Sequence, residues 1–284
     1  MNLLKSIYVS TYMMVAMFIM GYAIWSLVQT GDYVSWGGAL LATAPFMTLL
    51  TWIMATKSVA RTSAHFPLLN ILGIAGVTLS AWSYFARNGS ATALMLAIVG
   101  WLGFIVYSYW YSVFGRKESE QLQVGRKLPE FQVKDTSGAM LGPASFSGQP
   151  TVWMFYRGNW CPLCMAQIKE LVKEYQTLEE LGVRVALVSP QPHKYTISLA
   201  KKFGVKFDFL ADENNHAAKA LGIFSAHGLP MGLQALGYDN DTVLPTVIIT
   251  GKDGSVLWAH ETDNYRVRPE PSVYLGVLRD HKAH

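Results

Sequence analysis

The chain has 284 residues, with 51% hydrophobic and only 15% charged. That is room for about two domains and a balance that leans towards membrane rather than wholly soluble character. The formal net charge of +4 is accounted for by a few basic residues flanking apolar segments, which leaves no case for a nucleic-acid partner.

The apolar residues are concentrated at the start. Four charge-free stretches run Ser6 to Gly31, Tyr33 to Thr56, Phe66 to Ala86 and Asn88 to Gly115. Each exceeds the roughly 20 residues that a helix needs to cross a bilayer core. A cleaved signal peptide is shorter and is not followed by three more such segments. Four transmembrane helices are therefore expected, over about 7–30, 33–56, 66–86 and 91–114, within a membrane domain of residues 1–115. Trp25, Tyr33, Trp36, Trp82 and Trp110 fall mostly near the span ends, where amphipathic rings favour the interface. Gly73, Gly76, Gly100 and Gly103 offer small surfaces for close helix contact.

Orientation follows from the basic residues. Lys5 precedes the first span, Lys57 and Arg61 lie between the second and third, and Arg116, Lys117, Arg126 and Lys127 follow the fourth. The opposite side has only Arg87. The expectation is a multi-pass membrane protein, of bacterial inner-membrane type, with both termini and the C-terminal domain in the cytoplasm. The spans hold no cysteine and no acidic residue, and His65 sits at a loop edge. The membrane part therefore reads as an anchor in the lipid bilayer rather than as a partner in electron transfer.

Residues 116–127 read as a polar linker, and 128–284 as a separate domain. Leu128–Val133 and the turn at Asp135–Gly138 predict a short strand pair. Thr151–Tyr156 is an apolar run of strand length. Pro162 suits the first turn of a helix, and Met165, Ile168, Leu171, Val172, Tyr175 and Leu178 carry its apolar stripe to Gly182. A strand follows at 183–188, a helix at 193–203, a strand at 207–210, a helix at 214–221 and a long loop at 222–242. A hairpin at 246–250 and 255–260 and a helix at 271–280 close the domain. This order predicts an α/β thioredoxin-like fold, a mixed sheet flanked by helices, beside an all-α four-helix transmembrane domain.

Cys161 and Cys164 are the only cysteines, spaced Cys-x-x-Cys where strand gives way to helix. That placement is the apparatus of thiol–disulfide chemistry. At a helix N-terminus the backbone N–H groups and the macrodipole favour a thiolate, so Cys161 is expected to attack. Cys164, one turn further in, is expected to resolve. Arg157, on the incoming turn, can add a cation if its side chain folds back. A zinc site needs two further ligands, and only scattered histidines (His193, His216, His227, His260) are on offer. Neither a metal nor a cofactor is expected.

The run Phe155 to Cys164, Phe-Tyr-Arg-Gly-Asn-Trp-Cys-Pro-Leu-Cys, resembles the signature of peroxiredoxin-like members of the AhpC/TSA family in the thioredoxin-like superfamily. Asn264 to Pro271 is similar to a segment near the C-terminus of those members, and the resemblance spans Gly125 to Leu278. It implies that Trp160 flanks and covers the cysteines, that Pro162 tunes the pair through the helix start, and that Pro245 is a cis-proline facing them. It also exposes departures. The Pro and the Thr or Ser that activate a peroxidatic cysteine are Met154 and Gly158 here, and the buried acid of thioredoxin is Phe155. Glu261 and Asp263 are substitutes by position only and read as surface residues, as does the basic Arg266–Arg268 segment. Three functions stay open. The chain is a thiol–disulfide oxidoreductase acting on a disulfide-bearing protein and recharged by a cellular thiol reductant, a peroxidase reducing a hydroperoxide, or a non-enzymatic membrane redox sensor or binding module.

Overall fold

A computed structural model of the chain describes residues 2–282. Two compact units are present, one of Leu4–Thr56 and Thr62–Val113, the other of Phe114–His284 together with Lys57–Arg61 and the first three residues.

In the first unit the apolar runs form helices α1 (Asn2–Thr30), α2 (Tyr33–Thr56), α3 (Pro67–Arg87) and α4 (Ala91–Val106), the last continued by a π-helical turn over Tyr107–Tyr111. All four are long and apolar enough to cross a membrane. Their burial runs opposite to that of a water-soluble bundle. Phe18, Trp52 and Phe85 face outward, while Ala16, Ala39, Ala93 and Ala97 are enclosed. Small residues let the backbones approach: a Cβ on Gly76 would lie 2.5 Å from the Ala42 nitrogen of α2. Polar side chains pair inside, Ser35 Oγ donating to Ser83 Oγ at 2.8 Å.

The second unit is built on a mixed sheet. Its strands are β1 (Val133–Lys134), β2 (Met140–Leu141), β3 (Thr151–Phe155), β4 (Arg184–Ser189), β5 (Asp208–Ala211), β8 (Thr246–Thr250) and β9 (Val256–Glu261), in the order β2-β1-β5-β4-β3-β8-β9, while β6 (Phe224–Ser225) and β7 (Thr242–Val243) form a separate pair. The interior strand β3 pairs parallel with β4 and antiparallel with β8. All five of its residues are buried, which is why it reads as an unbroken apolar run rather than an alternating one. Trp153 and Phe155 pack with Phe131, Val188 and Ile248. The helices are α5 (Pro162–Lys173), α6 (Tyr175–Glu180), α7 (His193–Phe203), α8 (His216–Ala220) and α9 (Pro271–Lys282). This is the thioredoxin-like arrangement.

Four local expectations are corrected. The helix expected from Pro162 to Gly182 breaks at Glu174, whose φ of −88° and ψ of 9° leave the helical region. The stretch 222–242 contains the β6–β7 pair and a short 3₁₀ turn rather than loop alone. Residues 116–127 are packed rather than free: Leu122 is buried in the core, and Gly125 N and Arg126 O bond with Val256. Arg116 forms a buried ion pair with Glu261, whose carboxylate also accepts from Ser119 N. Glu261 is thus enclosed, and its expected surface position is overturned because a cation from the supposed linker neutralises it.

Candidate active site

The cysteines sit where β3 hands over to α5. Cys161 is the N-cap of α5, with φ −82° and ψ 109°, and its Sγ accepts the backbone N–H of Cys164 at 3.3 Å. Pro162 takes the first helical position, where its missing N–H is no loss. Both cysteines are free and buried, 2% and 0% exposed.

The turn ahead of them is held by Gln191, a residue that sequence reasoning did not single out. Its Oε1 accepts from Asn159 N at 2.9 Å, and its Nε2 donates to Tyr156 Oη and Thr196 Oγ1. Gly158 stands where an activating hydroxyl would be expected, and the backbone explains why. Its φ is +145°, and a Cβ there would lie 2.7 Å from the Trp160 ring. Only glycine adopts that conformation readily. Gly158→Ala is therefore expected to cost about 1–3 kcal/mol and to displace Trp160, read as a lower melting temperature with a changed tryptophan emission.

The largest addition to the site is Arg268. It is buried, and its Nη2 lies 3.4 Å from Cys164 Sγ and 3.9 Å from Cys161 Sγ. Its Nε donates to Tyr265 O at 3.0 Å and its Nη1 to Gln167 Oε1 at 2.9 Å. Gln167, on α5, donates in turn to Tyr274 Oη of α9 at 2.8 Å. The expectation of a solvated basic segment at 266–268 is overturned, for Arg266 is buried too. A buried guanidinium needs a counter-charge, and here the sulfurs provide it. Burial alone would depress Arg268, but the two thiols reverse the effect and raise it.

The cysteines respond as a pair. Burial pushes the Cys161 thiol up, and the adjoining Cys164 sulfur adds to that, against the pull of Arg268 and Arg157. Burial also opposes charge on Cys164, but the hydrogen bond from Cys161 and the Arg268 guanidinium outweigh it and bring that thiol down to about 5. The pair thus gives up its first proton well below the ordinary thiol range and holds the second, because two adjacent thiolates repel. At neutral pH it is a thiolate–thiol couple sharing one proton.

The Arg157 guanidinium folds inward towards Trp160 and Tyr265, while the Arg157 backbone N–H faces Cys164 and helps to hold that thiol down. The guanidinium lies 4.6 Å over the Trp160 ring and 5.8 Å from that of Tyr265, and donates to Gly228 O. Trp160 is thus fixed beside the cysteines by a cation–π contact. The expected cis bond at Pro245 is corrected, since the described residues contain no cis peptide. A trans bond suits a proline that stands immediately before β8. Pro245 shares with Gln167 and Arg268, and with Thr246, His260 and Thr262, the lining of a cavity of about 10 Å³, the size of one water molecule. Phe155 also borders this cavity. Asp263 accepts from Arg116 N at 2.8 Å rather than facing the cysteines. Among the described residues, no three His, Cys, Asp or Glu side chains cluster so as to hold a metal.

A Cys-x-x-Cys pair capping the helix after a buried strand of a mixed sheet defines a thioredoxin-like dithiol domain. Residues 124–259 match the model of the AhpC/TSA family. Among curated proteins, the chain is 24% identical over 186 residues to thiol-disulfide oxidoreductase ResA of Bacillus cereus (strain ATCC 10987 / NRS 248), covering 65% of this chain and 92% of the relative. It is 32% identical over 102 residues to chloroplastic peroxiredoxin Q of Populus jackii, covering 35% and 46%. Solved structures similar to it include peroxidoxin BcpB from Mycobacterium tuberculosis, at 18% identity and a TM-score of 0.47 over 56% of this chain and 97% of the other. Another is a peroxiredoxin-like protein from Aquifex aeolicus, at 15% identity and a TM-score of 0.48 over 59% and 90%.

Arg268 stood outside every sequence pattern that pointed to the cysteines, being more than a hundred residues from them. The one signal was the similarity of Asn264–Pro271 to a C-terminal segment of the family.

Proposed function

We propose that the protein is a membrane-anchored thiol–disulfide oxidoreductase that cycles Cys161 and Cys164 between dithiol and disulfide. The observation that carries this reading is the contact of the Arg268 guanidinium with both sulfurs, which supplies a thiolate at neutral pH. In the reductive half-cycle the Cys161 thiolate attacks a substrate disulfide, forming one S–S bond and expelling one substrate thiolate. Cys164 then attacks Cys161 Sγ, closing the internal disulfide and releasing the second substrate thiolate. The substrate gains two electrons, the pair loses two, and the expelled thiolates take up the protons. A cellular thiol reductant reverses the internal bond by the same exchange. ResA is named for this chemistry, which supports the reading.

Peroxidase activity is the second reading, favoured by the AhpC/TSA match and by the likeness to peroxiredoxin Q. There the Cys161 thiolate attacks the peroxide O–O bond, giving a sulfenic acid and an alcohol or water, and Cys164 condenses with the sulfenic acid to release water. Met154 and Gly158 stand against it, since neither orients a peroxide.

The two readings separate in one experiment on the reduced full-length protein, comparing thiol loss with a small model disulfide and with hydrogen peroxide against a free dithiol. Fast reaction with the disulfide and dithiol-like rates with peroxide are expected. The converse result would make the protein a peroxidase, and rates no faster than the free dithiol with either would overturn both readings.

The division into a membrane domain at 1–115, a connecting segment at 116–127 and a redox domain at 128–284 belongs to this proposal. So does a cytoplasmic position for the redox domain of a bacterial inner-membrane protein. Protease protection in intact cells and in inverted vesicles tests the orientation, with cleavage of the redox domain expected only in the inverted ones.

A further inference from the structure

Arg61 entered as one of two basic residues between the second and third apolar stretches, useful only for orientation. In the structure the segment Lys57–Arg61 belongs to the redox unit, and Ala60 is 3% exposed there. Lys169 Nζ of α5 donates to Lys57 O at 2.9 Å. Arg61 itself spreads its guanidinium over two elements. Nη1 donates to Glu170 Oε1 at 3.1 Å and Nη2 to Glu170 Oε2, forming a two-pronged ion pair with α5. Nε donates to Arg268 O at 3.2 Å and Nη2 to Pro269 O at 3.3 Å. Glu270 Oε1 lies 3.9 Å from Nη1.

One side chain therefore ties the helix that carries the cysteines to the backbone of the residue that faces them. The planar fork of arginine matches a carboxylate with two parallel N–H groups and keeps a further donor for the carbonyls, which the single ammonium of lysine cannot do. The Arg268 side chain is fixed at its head by Gln167 and the sulfurs, and at its root by Arg61.

We propose that Arg61 is a positioning residue of the dithiol site, holding the Arg268 backbone against α5 so that the Arg268 guanidinium stays in contact with Cys161 and Cys164. The proposal rests on the reading of Arg268 as the cation of the site. It also means that the redox site is completed by a residue lying between two of the apolar helices, so that a fragment beginning after residue 113 lacks part of it.

The test is the ultraviolet thiolate absorbance of the reduced full-length protein, titrated against pH in detergent, with the Cys161→Ser, Cys164→Ser double variant as blank. The charged and titratable groups bearing on the pair are Arg268 from the C-terminal segment and Arg157 and Tyr156 from the turn before α5, all left in place. Arg61→Gln and Glu170→Gln are each expected to move the first midpoint upward by about one pH unit, a tenfold loss of thiolate below the midpoint. Arg61→Lys is expected to restore little of it.

The shared sign is the discriminating feature. A charge acting only through space would raise the midpoint when Arg61 is neutralised and lower it when Glu170 is. Opposite shifts, or a lower melting temperature with an unmoved midpoint, would overturn positioning by Arg61. If Arg268→Gln also left the midpoint unmoved, the reading of Arg268 would fall as well, and the proposal with it.

Discussion

Arg268→Gln is expected to return the reduced dithiol to ordinary thiol behaviour. In the intact site burial disfavours a charged sulfur, and the guanidinium 3.4 Å from Cys164 and 3.9 Å from Cys161 is the principal cation offsetting it. Glutamine preserves a polar group beside Gln167 but leaves burial unopposed, so the first thiol proton is lost at or above the usual range of about 8.5. A rise from about 5 to about 8.5 takes the thiolate from nearly all of the pair to about 3% of it at pH 7. The loss in rate is smaller, because a more basic thiolate is a better nucleophile. With a Brønsted slope of about 0.5 the gain in nucleophilicity, about 50-fold, offsets the loss of thiolate near pH 7, and a net loss of about fivefold in exchange rate emerges at pH 6.

The pH profile gives the sign. The wild-type protein should keep its rate as the pH falls from 8 to about 6, because its first proton comes off near 5. The variant should lose rate throughout that interval and converge on or exceed the wild type in alkali. The reduction potential should fall by about 30 mV for each tenfold loss of thiolate stabilisation, since the reduced state is the one that loses a favourable contact. Stopped-flow exchange and redox titration measure the two effects. A variant with an unchanged pH profile would remove Arg268 from the chemistry.

The parts of this site that could be read in the sequence are those whose signals are local. Cys161, Pro162 and Cys164 occupy consecutive positions of a helix start, and Thr151–Phe155 is a buried strand because no polar residue interrupts its apolar run beyond Thr151 itself. Arg268 and Glu261 were misjudged for a shared reason. Their charges are neutralised by partners distant in the chain, the thiols in one case and Arg116 in the other, and a charge with a distant partner looks like any surface charge until the fold brings the two together. Gly158 was visible as a missing hydroxyl, but the reason for it, a φ open only to glycine pressed against Trp160, lies in backbone geometry. Arg61 is legible in the sequence only as a basic residue between two apolar stretches, because its bonds to Glu170, Arg268 O and Pro269 O join segments more than a hundred residues apart.

Cys164→Ser is expected to stop turnover and leave a covalent adduct, whereas Cys161→Ser is expected to stop it and leave none. The asymmetry follows from position. Cys161 caps α5 in an extended conformation, its sulfur accepting a helical N–H, and retains 2% exposure. Cys164 lies inside the first turn with none, so the N-cap sulfur of Cys161 is the one expected to meet an incoming disulfide. The ionisation of the pair does not contradict this, although the lower value falls on Cys164: the shared proton moves between adjoining sulfurs far faster than a substrate binds, so the helix-capping sulfur of Cys161 reacts as thiolate whenever Cys164 holds the proton. With serine at 164 the Cys161 mixed disulfide has no internal thiol to displace it and should accumulate to one equivalent, visible by mass as one bound substrate half. With serine at 161 the enclosed Cys164 should remain unmodified on the same timescale. Accumulation on Cys164 in the Cys161→Ser protein would reverse the two roles and require the domain to open before it reacts.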